Sequence, residues 1–334
     1  MSDTIQQKVT MATIAQLAGV TQPTVSRAFN HPEMLQPETL ERIMQAVNQT
    51  GYVPNMVARS LASSRTRLLA AIVPMLSNVV YSSFLKPFTA RMREAGYQTM
   101  LFESGFSLQE EERLVEMAIA RRPDGILLTG ATHSETCRRH LRSAAIPVAE
   151  VWDLADDPID LCVGFSHDES ARHAARYLIG KGHCRFAVIS ANDERAYRRR
   201  EAFSQTLAAA GLELPRRVDL PSSASIGQGK AAFGALLESG FDQGAIFCSS
   251  DIIAHGVLIE AARRAVDVPG RIAVMGFGDQ DFAAEIMPPL TSVQIDRQRL
   301  GEEAARLLLA RIEGREATPA RIDIGFGIIA RDTA

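Results

Sequence analysis

The sequence predicts an α/β protein with a three-helix N-terminal unit, a short hinge helix, and a larger domain built from two lobes of doubly wound parallel sheet. Three observations support this fold class. Residues 10–30 have the pattern of a helical hairpin, a third amphipathic helix ends at a glycine, and apolar runs alternate with amphipathic stretches from residue 68 onward. A chain of 334 residues is long enough for two or three domains.

Two short apolar stripes separated by a turn predict the N-terminal hairpin. The stripes consist of Ile14, Leu17 and Ala18, and of Val25, Ala28 and Phe29. Between them, Gly19-Val20-Thr21 supplies a residue that tolerates positive φ, a buried plug and an N-cap hydroxyl. The residues that point away from the second stripe are Gln22, Pro23, Thr24 and Arg27. This arrangement is typical of a helix-turn-helix that reads DNA bases, and a plain helical hairpin is the alternative.

A third helix is predicted to begin at Gln36-Pro37-Glu38, since proline suits the first helical position and glutamate complements the helix dipole. Leu40, Ile43 and Val47 form its buried face, and Gly51 ends it. Residues 55–64 then have the composition of a helix of about two turns, capped by Asn55, that is marginal on its own. A plain linker is the alternative reading of this segment.

From Leu68 onward the pattern predicts βαβ units, because continuous apolar runs are typical of strands buried on both faces. The predicted strands are Leu69–Val73, Gly125–Leu128, Pro147–Val151, Phe186–Ile189, Gly244–Cys248 and Ile272–Gly276. The predicted helices are Phe84–Ala95, Glu110–Arg121, Ser170–Lys181, Arg199–Ala210, Lys230–Ser239 and His255–Ala265. We expect a ligand cleft at the carboxyl ends of the strands.

Composition excludes several classes of protein. Hydrophobic residues at 46% and charged residues at 22% are typical of a globular protein, and the net charge of −3 gives no sign of nucleic-acid binding. The four cysteines have no CxxC spacing, and the pair His183-Cys184 lacks a second pair of ligands, so we expect reduced thiols and no metal. With no signal segment and no membrane-spanning run, a cytoplasmic protein is expected.

Five ordered motifs along the chain resemble the lac repressor family of bacterial transcription factors. They are Ala18-Gly-Val-Thr-Gln-Pro-Thr-Val-Ser-Arg27, Gly51-Tyr-Val-Pro-Asn55, Val163-Gly-Phe-Ser166, Met275-Gly-Phe-Gly-Asp279 and Pro289-Leu-Thr-Ser-Val293. Within the family the sequence is most similar to the gluconate repressor branch. The segments that carry this narrower resemblance are Gly96–Leu101, Asp160–Phe165, Thr318-Pro319 and Ile322–Phe326.

The resemblance implies how the N-terminal unit binds DNA. Thr21, Thr24 and Ser26 are expected near phosphates, and Gln22, Pro23 and Arg27 near bases, with Arg27 able to reach guanine in bidentate fashion. Pro23 departs from many relatives because it donates no hydrogen bond. The resemblance places Asn55, Ala58 and Leu61 in the hinge at the DNA, with Leu61 wedged into the minor groove at the operator centre.

The resemblance also implies the domain organisation and the partners. It implies a two-lobed fold like that of periplasmic binding proteins, with crossings near Gly164, Gln294 and Gly325. The expected domains are 1–54 for DNA binding, 55–67 for the hinge helix and linker, 68–164 with 294–324 for the first effector lobe, and 165–293 with 325–334 for the second. A homodimer on a palindromic operator follows from the absence of a leucine heptad tail and from two-fold symmetry.

Candidate effector residues follow the predicted strands. The resemblance assigns ligand binding to Arg199, whose guanidinium suits a carboxylate, and hydroxyl binding to Asp153, with Glu150 nearby. Gly278 stands where some sugar-binding relatives carry an aspartate, which favours an acidic ligand such as gluconate, although Asp279 is close. The remaining candidates are Ser77, Tyr81, Thr132, His133 and Ser250.

The sequence therefore predicts a repressor that a small sugar acid releases from DNA, with no cofactor and no catalytic activity. Within the same family, a different sugar or a ligand that strengthens DNA binding is the alternative. A sugar-binding transport protein would share the two lobes but would need an export signal and no helix-turn-helix. A sugar-acid enzyme is disfavoured because no nucleophile–base set or pair of catalytic acids stands out.

Overall fold

The computed structural model describes residues 9–54, 65–222 and 224–334. The chain divides into two compact units, the boundary falling between Thr66 and Arg67. None of the helices among the described residues is both long enough and apolar enough to cross a bilayer.

The N-terminal unit contains the helices α1 (Met11–Ala18), α2 (Gln22–Asn30) and α3 (Pro37–Thr50), with a 3₁₀ turn at Pro32–Met34. Its core is formed by Ile14, Ala15, Ala18, Val25, Ala28, Ile43 and Ala46. The predicted turn is confirmed: Gly19 has φ 63° and Thr21 caps α2 by accepting a hydrogen bond from the Thr24 amide. The predicted end of α3 is confirmed as well, since Gly51 has φ 64°.

One predicted core position in this unit is wrong. Leu17 is 57% exposed, and Ala15 is buried in its place. Successive residues are 100° apart around a helix, so Leu17 lies roughly 100° from the centre of the arc formed by Ile14, Ala15 and Ala18. The helices α2 and α3 both pack against α1 on this arc, and Leu17 lies outside it in solvent.

The first lobe of the larger unit is a six-stranded parallel sheet. Its strands are β1 (Leu68–Val73), β2 (Gln98–Glu103), β3 (Gly125–Thr129), β4 (Val148–Asp153), β5 (Leu161–Phe165) and β11 (Arg321–Asp323), in the order β11-β5-β4-β3-β1-β2. Its helices are α4 (Val79–Glu94), α5 (Leu108–Ile119), α6 (Glu135–Ala144) and α11 (Arg297–Ile312). A Cβ at Gly301 would lie 2.3 Å from the Phe84 carbonyl oxygen, so a glycine there permits the close approach of α11 to α4.

The second lobe has the same design, with one antiparallel edge strand. Its strands are β6 (Phe186–Ala191), β7 (Arg216–Leu220), β8 (Gly244–Cys248), β9 (Ile272–Gly278), β10 (Thr291–Gln294) and β12 (Gly327–Ile329), in the order β12-β10-β9-β8-β6-β7. Its helices are α7 (His167–Gly180), α8 (Glu194–Ala209), α9 (Ile226–Glu238) and α10 (Asp251–Arg263). The chain passes between the lobes after β5, after β10 and between β11 and β12.

The predicted alternation of strands and helices is confirmed, but the helices begin earlier than the apolar pattern indicates. For example, α8 begins at Glu194 rather than Arg199, because Asp193 caps it and accepts a hydrogen bond from the Ala196 amide. The sequence pattern missed the buried strand β5, the short strands β10, β11 and β12, and the helix α11. It also missed the half-exposed edge strands β2 and β7 and the strongly basic helix α6, because these three elements lack the apolar run or stripe on which the prediction depended.

Candidate functional site

The exposed side of α2 carries the predicted DNA-contacting residues. Thr21, Gln22, Pro23 and Arg27 are exposed, whereas Thr24 and Ser26 are half-buried. The Thr21 and Thr24 hydroxyl oxygens are 2.9 Å apart, and the Ser26 hydroxyl accepts a hydrogen bond from Asn30. The first turn of α2 thus presents a mixed polar surface. Asn55, Ala58 and Leu61 lie outside the described residues.

In the larger unit, two adjoining cavities lie between the lobes at the carboxyl ends of the strands. The arginine cavity is lined by residues that include Tyr81, Trp152, His167, Asp193, Arg195, Arg199, Ser250, Phe277, Gly278 and Gln280. The carboxylate cavity is lined by residues that include Glu111, Thr132, Asp153, Asp193, Glu194 and Arg195. The two cavities share Asp193 and Arg195, so they form one continuous cleft.

Arg199 is the central cation of the arginine cavity. It is buried, its guanidinium carbon lies 4.1 Å from the centre of the Phe277 ring, and it donates to the Ser249 carbonyl oxygen at 3.2 Å. Its Nη1 lies 2.8 Å from Nδ1 of His167. Burial and the neighbouring arginines hold the pKa of His167 well below its usual value, so the ring is neutral and its Nδ1 accepts from Arg199. Burial lowers the pKa of Arg199 to about 10, which leaves it cationic at neutral pH.

Arg195 is a second cation in the same cavity. It is half-buried, and its Nη2 donates to the Tyr81 hydroxyl at 2.9 Å. Nη1 of Arg195 and Nε of Arg199 are enclosed without a hydrogen-bond partner. Within the described part of the chain, no carboxylate oxygen lies within ion-pair distance of either guanidinium. The cavity therefore has positive charge and free donors that a bound anion would satisfy.

Asp153 lies at the boundary between the lobes and is already paired. Arg198 donates to it at 3.1 Å and to Asp168 at 2.6 Å. Burial raises the pKa of Asp153, although the arginines around it oppose this shift. In the loop after β3, Thr132 donates to Glu194 at 2.6 Å. Both contacts connect the first lobe to the beginning of α8.

His133 and Glu150 are brought together behind Glu111, which lines the carboxylate cavity, but neither of them lines a cavity itself. Nδ1 of the fully buried His133 ring is 2.6 Å from Glu111, and its Nε2 is 3.3 Å from Glu150. Arg138 lies 4.0 Å from the same Glu150 oxygen. Burial lowers the pKa of His133, but its hydrogen bond with Glu111 and the nearby Glu150 carboxylate outweigh burial and raise the pKa to about 9. The Cys137 thiol is close to Glu111 and His133, yet Nδ1 of His133 is engaged with Glu111.

The other predicted effector residues occupy different positions. Ser250 lines the arginine cavity and caps α10, whereas Ser77 is exposed and lines neither cavity. Asp279 is paired with Arg331 at 2.7 Å and accepts from Gln294 at 2.8 Å, so it also lies outside the cavity lining. Gly278 does line the arginine cavity, and its φ of 122° is a backbone conformation that favours glycine.

Several lining residues were not predicted from the sequence. Arg195 could have been found, since it lies four residues before Arg199 and therefore on the same helix face. Trp152 and Phe277 lie next to predicted strands, where aromatic residues are ordinarily core. His167 begins α7, three residues before the predicted start of that helix, and the sequence pattern gives no signal for it. Gln280 carries no charge and belongs to no spacing pattern, so the sequence alone gives no signal for it.

Both units of the chain match known protein families. Residues 10–55 match the family of bacterial regulatory proteins, lacI family, and residues 175–334 match the periplasmic binding protein-like domain. The HTH-type transcriptional regulator GntR of Pseudomonas aeruginosa is 35% identical over 97% of this chain and 95% of its own length.

Two solved structures are similar as well. A LacI family transcriptional regulator from Silicibacter pomeroyi is 30% identical, with a TM-score of 0.91 over 98% of this chain and 99% of that one. The transcription regulator GntR from Chromobacterium violaceum is 33% identical, with a TM-score of 0.77 over 80% of this chain and 98% of that one.

Proposed function

The chain belongs to the LacI family of DNA-binding transcriptional regulators, and we propose that it is a repressor that a sugar acid, gluconate or a close derivative, releases from a palindromic operator. It is a regulator and not an enzyme. The observation that carries the proposed ligand is the pair Arg195 and Arg199, two cations that line one cavity without a carboxylate partner among the described residues.

Charge balance favours an acidic ligand over a neutral sugar. Asp193 in the lining offsets part of the positive charge of Arg195 and Arg199. A carboxylate that enters the arginine cavity gains charge-assisted hydrogen bonds from both guanidinium groups, whereas a neutral sugar gains no charge pairing with the remaining positive charge. Gly278 adds to this preference because its position contributes no second acidic side chain beside Asp193. The resemblance to the gluconate repressor branch and the match to a regulator named GntR agree with this ligand class.

We propose that the ligand acts through closure of the lobes. Binding between them changes the angle of the two lobes within each subunit of a homodimer, the paired hinge helices separate, and Leu61 leaves the minor groove. Such coupling is typically worth about 1–3 kcal/mol between effector and DNA. If the ligand instead binds the DNA-bound conformation more tightly, the same machinery strengthens DNA binding.

The test is the substitution Arg199→Met, which removes the charge and keeps the apolar stem against Phe277. Calorimetry should show gluconate binding to the wild type and at least a 30-fold loss in the variant, because a desolvated charge-assisted contact is removed (about 2 kcal/mol or more). In a gel-shift assay with a duplex selected by the wild type from a random pool, gluconate should release the wild type but not the variant.

Arg200→Met is the matched control. Arg200 is the next residue of α8 and pairs with Glu201 and Asp219 instead of lining the cavity. It should keep wild-type gluconate affinity and release. Equal gluconate affinity in Arg199→Met and the wild type would refute the ligand site, and glucose binding as tightly as gluconate would refute the acidic ligand class.

A further inference from the structure

Gln280 is a buried polar side chain without a partner. It follows β9 at the carboxyl end of the second-lobe sheet, lines the arginine cavity and is only 2% exposed. Neither its Oε1 nor its Nε2 has a hydrogen-bond partner. Removing an amide from water without replacing its hydrogen bonds is unfavourable, so a buried unpaired carboxamide in a cavity calls for an explanation.

The backbone of Gln280 is held firmly although its side chain is not. Its amide N–H donates to buried Asp251 at 2.7 Å, and its carbonyl accepts from the Ala283 amide at 2.7 Å. Asp251 also accepts from the Ser292 hydroxyl at 2.6 Å, and Ser292 in turn accepts from the Asp279 amide at 3.1 Å. These hydrogen bonds fix the position of the Gln280 backbone, and none of them involves the side-chain Oε1 or Nε2.

Arg297 supports the same segment from the neighbouring helix α11. It donates to the carbonyl oxygens of Gly278 and Asp279, the two residues before Gln280. The Gln280 side chain therefore projects from a turn that several hydrogen bonds hold in place, as expected of a group that is pre-organised for a ligand.

The cavity around Gln280 has donors in excess. Among the described lining residues, the enclosed polar atoms without a partner include three further donors, at Arg195, Arg199 and the Trp152 indole. A carboxamide is different from all three because it offers an acceptor oxygen beside its NH₂ donors. It can therefore accept from one hydroxyl and donate to its neighbour, which suits two adjacent hydroxyl groups on a carbon chain.

We propose that Gln280 selects the hydroxylated part of the ligand, by binding a pair of neighbouring hydroxyls while Arg195 and Arg199 hold the carboxylate. This inference rests on the proposed function and deepens it. The ligand class becomes a polyhydroxylated carboxylic acid, with one end recognised by charge and the other by a neutral amide. Asp251, Ser292 and Arg297 are positioning residues that act through the turn.

The substitution Gln280→Met tests this, because it keeps the length of the side chain and removes both polar ends. The probes are gluconate and hexanoate, six-carbon acids with and without hydroxyl groups. Gluconate affinity should fall roughly 10- to 100-fold, as expected for two lost hydrogen bonds, while hexanoate affinity stays the same or rises. The ligand-free variant should melt at the wild-type temperature or above, because an unpaired buried amide is gone.

Gln298→Met is the control, since Gln298 is exposed on α11 and bonds Glu302 outside the cleft. It should leave both affinities unchanged. Equal gluconate affinity in the wild type and Gln280→Met would overturn this inference alone. A parallel loss of hexanoate affinity, or a lower melting temperature of the ligand-free variant, would show a structural role and overturn it as well. Failure of the wild type to bind gluconate would overturn the proposed function and this inference together.

Discussion

At the scale of single residues, His133 shows how a buried charge can be accommodated. Its ring is enclosed between Glu111 on α5 and Glu150 on β4, and Arg138 on α6 faces the same glutamate. The imidazolium of His133 thus lies between two buried carboxylates, and Arg138 is shared between Glu150 and Asp157, from which it is 3.0 Å away. The attraction of these carboxylates for the protonated ring prevails over burial and raises the pKa of His133 to about 9.

This proton should make stability depend on pH. The folded pKa of His133 is raised above the unfolded value of about 6.5, so its contribution is fully present below pH 6.5 and is lost as pH rises through about 9. The difference corresponds to about 3 kcal/mol. Urea unfolding of the wild type should show this loss between pH 6.5 and 9.5, and His133→Gln should be less stable at pH 6.5 but lack that part of the slope.

Exposed His31 provides the comparison, because its ring lies 3.3 Å from Glu33 on the surface of the N-terminal unit. His31→Gln should keep the wild-type slope. A His133→Gln variant with an unchanged slope would show that this histidine does not hold the proton.

His133 also shows why the sequence predicted the wrong location for some side chains. Arg199, Asp153 and His133 all follow or end apolar strands, which predicts proximity to the cleft. Only the structure shows that Glu111, from a helix about twenty residues earlier, draws His133 into the core. Charge pairing between distant segments leaves no periodic signal in the sequence, whereas the strand–helix alternation does.

At the scale of elements, helix starts are set by capping side chains more than by apolar stripes. Four helices begin at a residue whose side chain accepts a hydrogen bond from a backbone amide of the first turn: Asn78, Ser166, Asp193 and Ser225. Each of these caps lies several residues before the predicted start of its helix. For the strands and helices that the apolar pattern detects, the centres could therefore be predicted, but the helix starts could not. For α8, the gap between the predicted start at Arg199 and the observed start at Glu194 matters, because Arg195 lies in the first turn.

In the N-terminal unit, the cap of α2 can be tested directly. Thr21→Ala removes the hydroxyl that accepts from the Thr24 amide and should destabilise the first turn by about 1 kcal/mol. Without DNA, exchange of the amide hydrogens in this turn should be about fivefold faster, and DNA affinity should fall as the exposed turn frays. Thr21→Ser keeps the hydroxyl and should behave as the wild type. Unchanged exchange in Thr21→Ala would assign any loss of DNA affinity to a lost contact instead.

At the scale of the whole effector-binding unit, the beginning of α8 links ligand and lobes. Three hydrogen bonds join the beginning of α8 to the first lobe: Glu194 accepts from Thr132, Arg195 donates to Tyr81, and Arg198 donates to Asp153. The three partners belong to three different segments of the first lobe. Arg195 and Arg199 line the arginine cavity. One stretch of helix thus carries both the cations of the arginine cavity and hydrogen bonds between the lobes, so we expect a ligand bound in this cavity to change the angle between the lobes.

Thr132→Val should measure this coupling without changing any charge or any residue of the arginine cavity. It removes the hydrogen bond to Glu194, worth about 1 kcal/mol, and should lower gluconate affinity about fivefold by making the closed form less populated. Thr206→Val, farther along α8, removes a hydroxyl bonded only within its own helix and should leave the affinity unchanged. An unchanged affinity in Thr132→Val would mean that this bond persists when the lobes open.

The three passages of the chain between the lobes have a consequence for synthesis on the ribosome. The first-lobe core includes Leu300, Ala304 and Leu308 of α11, and β11 completes its sheet, yet both elements are translated after most of the second lobe. At typical translation rates, the interval between the synthesis of β5 and the synthesis of α11 and β11 is on the order of ten seconds. The nascent first lobe therefore exposes apolar surface through that interval, and it is a natural client for chaperones that hold unfinished chains.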